Sequence, residues 1–449
     1  MANSILDGIM GICVADAVGV PVEFIDRETL RKNPVVGMRS YGTYNQPAGT
    51  WSDDTSMTLC LVDSLTSGLD YNDVMNKFIK WFKDGEYTPH NEVFDVGNAT
   101  RNALVKYLDG TAPLKCGGQS DHDNGNGSLM RILPIVFYLQ SDFGTEITDS
   151  EEAMEIIHNV SALTHAHNRS LIACGIYCSI AATLLGGMEL SSAVSSGIYR
   201  AFEFYKGYDG FTDELRYFER LKDRSFASIP EGEIRSSGYV VDTLEAAVWC
   251  LLNSNNYKDC ALMAVNLGKD TDTVAAVAGG LAGLYYGYDS IPQEWLSVIA
   301  RREYVESLCI QLYIALSKSS IDKLCKYIPY FEKATKDSVC HWSGGEKLGE
   351  KYYKSSYPIY DGMLEEFISE FYKTNLICYN YLDSIRDRGL NGTEDMNRAI
   401  DTADFELLKA ILTGYVRQER FCDGMWEYAV EDKIFLKILQ RLKVLSNSK

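Results

Sequence analysis

Apolar residues recur along this chain at three- and four-residue spacings, the period of a helix that buries one face. Ile5, Leu6, Ile9, Met10 and Cys13 mark an opening amphipathic helix, and Met57, Leu61, Val62 and Leu65 mark another. The spacing returns at Val74-Phe78-Trp81-Phe82, from Leu171 to Leu185, at Leu244-Val248-Leu251-Leu252, and from Val274 to Tyr285. Strand-like alternation is rare and short. The pattern predicts a mostly α-helical domain over residues 1–318.

The pattern changes beyond that point. Trp342 to Tyr360 contains Ser343-Gly344-Gly345, Gly349, Ser355-Ser356 and Pro358 with few aliphatic residues, which reads as a linker. Residues 319–360 are therefore expected to connect two domains. Helical spacing resumes at Met363-Leu364-Phe367-Phe371, Phe405-Leu407-Leu408-Ile411 and Ile434-Phe435-Ile438-Leu439-Leu442. A small C-terminal helical domain over residues 361–449 follows, so the expected fold class is all-α.

Two acidic pairs stand before helical stretches: Trp51-Ser52-Asp53-Asp54-Thr55 and Lys269-Asp270-Thr271-Asp272-Thr273. Asp, Ser and Thr ahead of an apolar run are also the usual helix-start residues, so capping alone could account for either pair. Asp53 and Asp54 would project about 100° apart on a regular helix. Asp270 and Asp272 share a side only in an extended turn, with Gly268 breaking the chain before them and Thr273 starting the helix after. Brought together, four buried carboxylates would repel one another unless cations lay between them. Carboxylate and hydroxyl oxygens without His or Cys suit hard ions such as Mg²⁺ or Mn²⁺. The residues alone leave capping and metal binding both open.

Charge narrows the partners. The net charge of −19 argues against a nucleic-acid surface, which needs clustered Lys and Arg, and is read as solubility. The first residues lack a charged leader and a long apolar run, so no secretion signal is expected. The best apolar candidate for a membrane span, Val274 to Tyr286, is short for a bilayer. Twelve cysteines without a CxxC pair suit a reduced, cytoplasmic protein, with Cys174 and Cys178 as packing residues. His165 and His167 lack further ligands at zinc spacing. Gly344-Gly345 to Gly349 is followed by Glu350 and Lys351 and is no phosphate-binding loop.

Several segments then occur in a telling order: Gly11 to Phe24, Thr50 to Ser56, Gly125-Asn126-Gly127-Ser128-Leu129-Met130-Arg131, Thr164-His165, and Gly268 to Thr273, with Ser237 to Ala247 as a further element. Over roughly residues 1–300 they resemble the ADP-ribosylglycohydrolase family. The resemblance implies a compact orthogonal helical bundle holding two Mg²⁺ or Mn²⁺ ions. Ser52, Asp53 and Asp54 would supply ligands from one side, and Asp270, Asp272 and Thr273 from the other. Family members usually carry Thr where Ser52 stands and often Gly where Ala15 stands. Glu23 would contact the substrate ribose or the attacking water, with Asp54 and Asp272 as the other catalytic carboxylates. Gly125, Asn126, Gly127 and Ser128, small residues expected to lead directly into a helix, would contact pyrophosphate or ribose. His165 would lie near the active centre, or serve as a hydrogen-bonded structural residue. Asp16 would hold the turn or a ligand residue.

The implied reaction is metal-dependent hydrolysis of the glycosidic bond between ADP-ribose and an acceptor. That acceptor would be a protein side chain such as arginine or serine, or a small molecule. A non-catalytic ADP-ribose-binding or structural relative, and another dinuclear-metal hydrolase such as a phosphatase, are the rival readings. Near the C-terminus, Leu412 to Gly424 resembles a small bacterial domain of unknown function, in which Arg417, Glu419 and Arg420 are expected to form a salt-bridged node.

Overall fold

The computed structural model describes residues 4–345 and 355–447. The chain separates into two compact units, Ala2–Ala315 and Leu316–Lys449. The first is all-helical, and its centre is a pair of helices without a polar face. In the opening helix, Ser4–Gly19, every residue from Gly8 to Gly19 is buried. In the helix Thr271–Tyr286, every residue from Thr271 to Gly283 is buried. A helix enclosed all round belongs at the middle of a core.

Glycines let these two backbones touch. A Cβ on Gly11 would collide with the Gly279 carbonyl oxygen, one on Gly279 with the Gly11 carbonyl, and one on Gly283 with that of Asp7. Tyrosine hydroxyls pin the pair from outside. Tyr257 donates to the Gly11 carbonyl (2.7 Å) and Tyr177 to that of Val277 (3.1 Å). At the far end, Gly19 lies on the Asp272 backbone with no room for a side chain, and the Thr271 hydroxyl donates to the Gly19 carbonyl (2.8 Å). The crossing therefore delivers Asp272 to the end of the opening helix.

One expectation needs correcting. Two helical stretches, Ser4–Val22 and Asn168–Leu185, are long and apolar enough to cross a bilayer, although no single run of the sequence suggested it. Most of each is buried inside the fold, because a helix at the centre of a core needs the same all-round apolarity as one in lipid.

The C-terminal unit is helical around a core that includes Phe331, Phe367, Phe371, Leu408, Phe435 and Leu439. Its aromatic centre is close-packed, with Phe331 to Phe367 at 4.9 Å and Phe367 to Phe435 at 5.2 Å between ring centroids. Residues 316–360, which take in the stretch expected as a connection, fall in this unit and contribute the helices Ile328–Lys333 and Lys336–Val339. The strands Cys340–Ser343 and Tyr357–Tyr360 pair antiparallel, Cys340 opposite Tyr360. Aromatic anchors replace the missing aliphatics: Tyr330 donates to Asp361 (2.7 Å) and Trp342 to Glu427 (2.8 Å). The Gly349-Glu350-Lys351 end of the glycine-rich segment lies outside the described residues.

Among the described residues, the expected salt-bridged node of Arg417, Glu419 and Arg420 is not formed. Glu419 accepts from the Tyr360 hydroxyl (2.6 Å) and from the backbone N–H groups of Gly424 and Trp426 (2.9 Å each). The helix Phe405–Gln418 has ended by then, so Glu419 turns toward the following loop rather than toward Arg417 or Arg420.

The glycine contact carries a stability prediction. Gly279→Val should lower the unfolding free energy by about 3 kcal/mol, since overpacking forces the two backbones apart. Gly232→Ala, where an added Cβ meets open space, is the control. Denaturant melts of both variants read the difference.

Candidate active site

The start of the helix Asp53–Leu65 separates capping from what its acids do. Ser52 is the N-cap: its hydroxyl oxygen accepts from the Asp54 N–H (3.3 Å) and its O–H donates to Asp54 Oδ2 (2.9 Å). Asp16, on the opening helix, accepts from the Ser52 N–H (3.0 Å), the Thr55 N–H (3.1 Å) and the Thr55 hydroxyl (2.6 Å). Ser52 and Asp16 thus satisfy this helix start, and Asp16 holds the turn. Asp53 and Asp54 are left for another purpose.

The second acidic pair is arranged similarly. Its helix begins at Thr271, two residues before the expected start, with Asp270 at the N-cap position but making no side-chain cap bond. Gly268 and Lys269 both have positive φ, +78° and +66°, which folds the chain sharply ahead of the acids. Reciprocal backbone bonds then tie this turn to the Glu23 segment. Phe24 N–H donates to Lys269 O (2.6 Å), and Lys269 N–H to Ile25 O (2.7 Å). Phe24 adopts φ +64° to make the pair. This is the link that brings Glu23, more than two hundred residues away, to Asp272.

The carboxylates converge. One oxygen each of Asp16, Asp54 and Asp272 lie within 4.8 Å of one another, and so do oxygens of Glu23, Asp95 and Asp272. Three aspartates share one feature: one oxygen is held and the other is not. Asp54 Oδ2 accepts from Ser52 and Thr273, Asp270 Oδ2 from Asn126 (2.8 Å), and Asp272 Oδ1 from the Thr273 N–H (2.9 Å). Asp54 Oδ1, Asp270 Oδ1, Asp272 Oδ2 and Glu23 Oε2 are buried without a hydrogen-bond partner among the described residues. Burial and then the neighbouring carboxylates push Asp53, Asp54 and Asp272 well above the usual range. Glu23 is pushed up to about 9, first by burial and then by the charge of Asp95. Buried, partnerless carboxylate oxygens at this density fit hard cations, which replace both the lost solvation and the lost hydrogen bonds.

These groups open onto a cleft of about 190 Å³, lined by Glu23, Asp53, Asp95, Asn98, Thr100, Gly125, Asn126, Gly127, His165, Gly238, Asp270 and Thr273. Glu23, Asp53, Asp270, Thr273, Gly125, Asn126, Gly127 and His165 are thereby brought together. Asp54, Asp272 and Ser52 lie buried behind them. Ser128 is not brought in: fully buried, it accepts from the Ser161 hydroxyl (2.9 Å) and touches Cys174 Sγ. Nor does Gly125–Ser128 lead straight into a helix. Turns continue through Arg131 and the helix starts at Pro134, whose ring suits a first helical position.

His165 is both hydrogen-bonded and at the cleft. Arg131, wholly buried against the Phe78 ring, donates to the Thr164 hydroxyl (2.7 Å), which bonds His165 Nδ1 (2.9 Å). Burial, reinforced by Arg131, lowers the His165 pKa to about 3, so the ring is neutral. Asp95 and Tyr44 were not foreseen. Asp95 sits alone in a loop with φ +53°, and Tyr44 hydrogen-bonds Glu23 beneath the Phe94 ring, 4.8 Å away. No motif marks either residue. A third acidic group, Asp121, His167 and Glu214, lies elsewhere, but the Arg169 guanidinium bridges Glu214 (2.7 Å) and Asp121 (3.6 Å) and takes the place of a cation there.

The family model for ADP-ribosylglycohydrolase matches residues 1–321. The chain belongs to the ADP-ribosylglycohydrolase family. Residues 316–448 match a family of unknown function (DUF6508). The ADP-ribosylarginine hydrolase Tri1 of Serratia proteamaculans is 34% identical over 311 residues, covering 68% of this chain and 77% of the relative. The ADP-ribosyl-[dinitrogen reductase] glycohydrolase of Rhodospirillum rubrum is 29% identical over 297 residues, 65% of this chain and 88% of the relative. A solved structure titled ADP-ribosylglycohydrolase-related protein complex superposes with a TM-score of 0.56 at 30% identity, covering 69% of this chain and 97% of that one. Membership in this family, with relatives named as ADP-ribosyl hydrolases, makes this chain a glycosyl hydrolase. Its acidic clusters could hold metal.

The raised carboxyls predict a pH response. A carboxyl whose pKa is higher in the folded chain binds its proton more tightly there, so its stabilisation is present at low pH and lost as pH climbs through the raised value. In chelator, the thermal midpoint should fall as pH rises through about 6 to about 9, the window spanned by Asp16 at about 6 and Glu23 at about 9. Millimolar Mg²⁺ or Mn²⁺ should restore it, most strongly at pH 9. Differential scanning fluorimetry reads both effects.

Proposed function

We propose that this chain is a metal-dependent hydrolase that releases ADP-ribose from ADP-ribosylated arginine on a protein. The observation that carries the reading is the set of buried carboxylate oxygens without partners on Asp54, Asp270, Asp272 and Glu23. Asp53, Asp54, Asp270 and Asp272, with the hydroxyls of Ser52 and Thr273, would hold two Mg²⁺ or Mn²⁺ ions. When bound, those ions would supply positive charge for orienting ribose hydroxyls and for acidifying a water.

The chain's own residues do the rest. Gly125, Asn126 and Gly127 form the cleft wall beside His165, where the glycine backbone N–H groups can take ribose or pyrophosphate oxygens and the Asn126 amide oxygen can accept from a ribose hydroxyl. Asn126 is already oriented, since its amide also donates to the Thr243 hydroxyl (2.9 Å). Neutral His165 adds a hydrogen-bonding ring without adding charge. Glu23 and Asp95 share the outer part of the cleft, Tyr44 holding Glu23 in place. An oxocarbenium-like transition state would gain from negative charge here, and Asp95, or Glu23 once bound cations hold it ionised, can take a proton from the attacking water.

Charge also supports the acceptor. Glu23, Asp53, Asp54, Asp95, Asp270 and Asp272 carry more negative charge when ionised than two divalent ions neutralise. A cationic guanidinium matches the excess, and the Serratia relative is named for arginine. Twelve free thiols suit a reducing compartment, the cytoplasm.

Asp54→Asn and Asp272→Asn should each lower turnover by about a hundredfold or more, as loss of a central electrostatic group does. Chelation should abolish activity, with Mg²⁺ or Mn²⁺ restoring it and Zn²⁺ failing to. Turnover that survives thorough chelation would refute the metal reading. On a panel of ADP-ribosylated peptides followed by mass spectrometry, arginine-linked ADP-ribose should be released about tenfold or more faster than serine-linked, a ratio that measures the transition-state preference. Release of inorganic phosphate instead of ADP-ribose would point to a phosphatase, and binding without release to a non-catalytic relative.

A further inference from the structure

The residue after Glu23 breaks two local rules. Phe24 holds φ +64°, a conformation that glycine adopts freely and a side chain adopts only at a cost. Its ring is 68% exposed, although the carboxyl before it is buried. Glycine at this position would make the same backbone bond to Lys269 and leave no apolar ring in water. The ring's contact with Tyr44, 6.4 Å between centroids and tilted by 59°, lies near the outer limit of aromatic packing. Folding alone therefore gives little reason for a phenylalanine here.

What surrounds the ring is acidic. Tyr44, in contact with Phe24, also packs on the Phe94 ring at 4.8 Å, and its hydroxyl bonds with the carboxyls of both Glu23 and Asp95. Oxygens of those two acids and of Asp272 lie within 4.8 Å of one another, and Glu23 and Asp95 line the cleft. The Thr43 hydroxyl donates to the Glu23 carbonyl (2.7 Å), which ties the Tyr44 loop to the Glu23–Phe24 segment. An exposed aromatic face and a pair of carboxyls thus adjoin at the rim of the cleft.

That pairing selects a planar cation. A guanidinium stacks its face on an aromatic ring and donates from its edge to carboxylate oxygens. A hydroxyl acceptor would use the carboxyl edge alone and gain nothing from the ring, and a phosphate would be repelled by the acids. We propose that Phe24 selects the acceptor, its ring receiving the face of the acceptor's guanidinium while Asp95 and Glu23 receive the N–H edge. The inference rests on the arginine reading given above and names the residue that enforces it.

Steady-state kinetics of the Mn²⁺-loaded full chain on an ADP-ribosylarginine peptide test it. F24L keeps an apolar side chain without a π face, and F24W enlarges that face. F24L should raise KM about threefold to tenfold and leave kcat unchanged, the effect of losing a cation–π contact, and F24W should restore the wild-type KM. Isothermal titration with agmatine, a guanidinium compound, reads the same contact without turnover, and its Kd should weaken by the same factor in F24L and recover in F24W. The rise in melting temperature on adding Mn²⁺ should be the same in every variant, and F24G should melt no lower than wild type. Equal KM and equal agmatine affinity in wild type, F24L and F24W would overturn the proposal while leaving the arginine reaction standing. A loss in F24L that falls on kcat or on the Mn²⁺ response would make Phe24 a support for Glu23, and a lower midpoint for F24G would make it a residue of the fold. Either result, or wild type that fails to bind agmatine, would also overturn it. Absence of turnover in wild type, with agmatine binding still weakened by F24L, would refute the proposed reaction and sustain this inference.

Discussion

The backbone contact between the opening helix and the helix Thr271–Tyr286 is the constraint on which the site depends. Gly11 against Gly279, Gly283 against Asp7 and Gly19 against Asp272 let the chains meet without intervening side chains. Ordinary helix packing keeps axes 8–10 Å apart, and larger residues at these positions would push them further. Asp16 and Asp272 lie on these two helices and come within 4.8 Å of each other and of Asp54. Separate the glycines, and the carboxylates separate with them.

The site is costly to the bare fold. Carboxylates are crowded together, most of them buried, and Phe24, Lys269 and Asp95 all hold the left-handed backbone conformation that side chains disfavour. Part of the charge is offset locally, because both Asp pairs lie at helix N-termini where the backbone dipoles favour anions. The remainder is a demand for cations. That half of each aspartate is held by a hydroxyl, amide or backbone N–H fixes where the free oxygen points, which is the preorganisation a metal centre needs.

Much of this was legible in the chain. Helical spacing marked the all-α architecture, and the two acidic pairs marked the ends to be joined. The ordered segments from Gly11 to Thr273 pointed to the family that the comparisons then showed. Asp95 was not legible, since it is a lone acid in a loop and reaches Glu23 only through tertiary folding. Tyr44 gave no signal for the same reason. Ser128 read as part of a substrate loop, yet the turn directs its hydroxyl toward Ser161. Glu419 read as an ion-pair partner because charge alternates along Arg417 to Arg420, but the helix ends one residue earlier and redirects it.

By itself the sequence determined what is local: helix periodicity, the oxygen-rich chemistry of the two Asp pairs and the net acidity of the chain. These depend on neighbours a few residues apart. The tertiary structure decided which oxygens are partnerless, which acids share one space, and that Ser52 and Asp16 do the capping while Asp53 and Asp54 do not. Those properties arise between segments as distant as Phe24 and Lys269, where two backbone hydrogen bonds set the register. Spacing along a chain cannot carry that information, because it measures separation in sequence while electrostatics and coordination depend on separation in space.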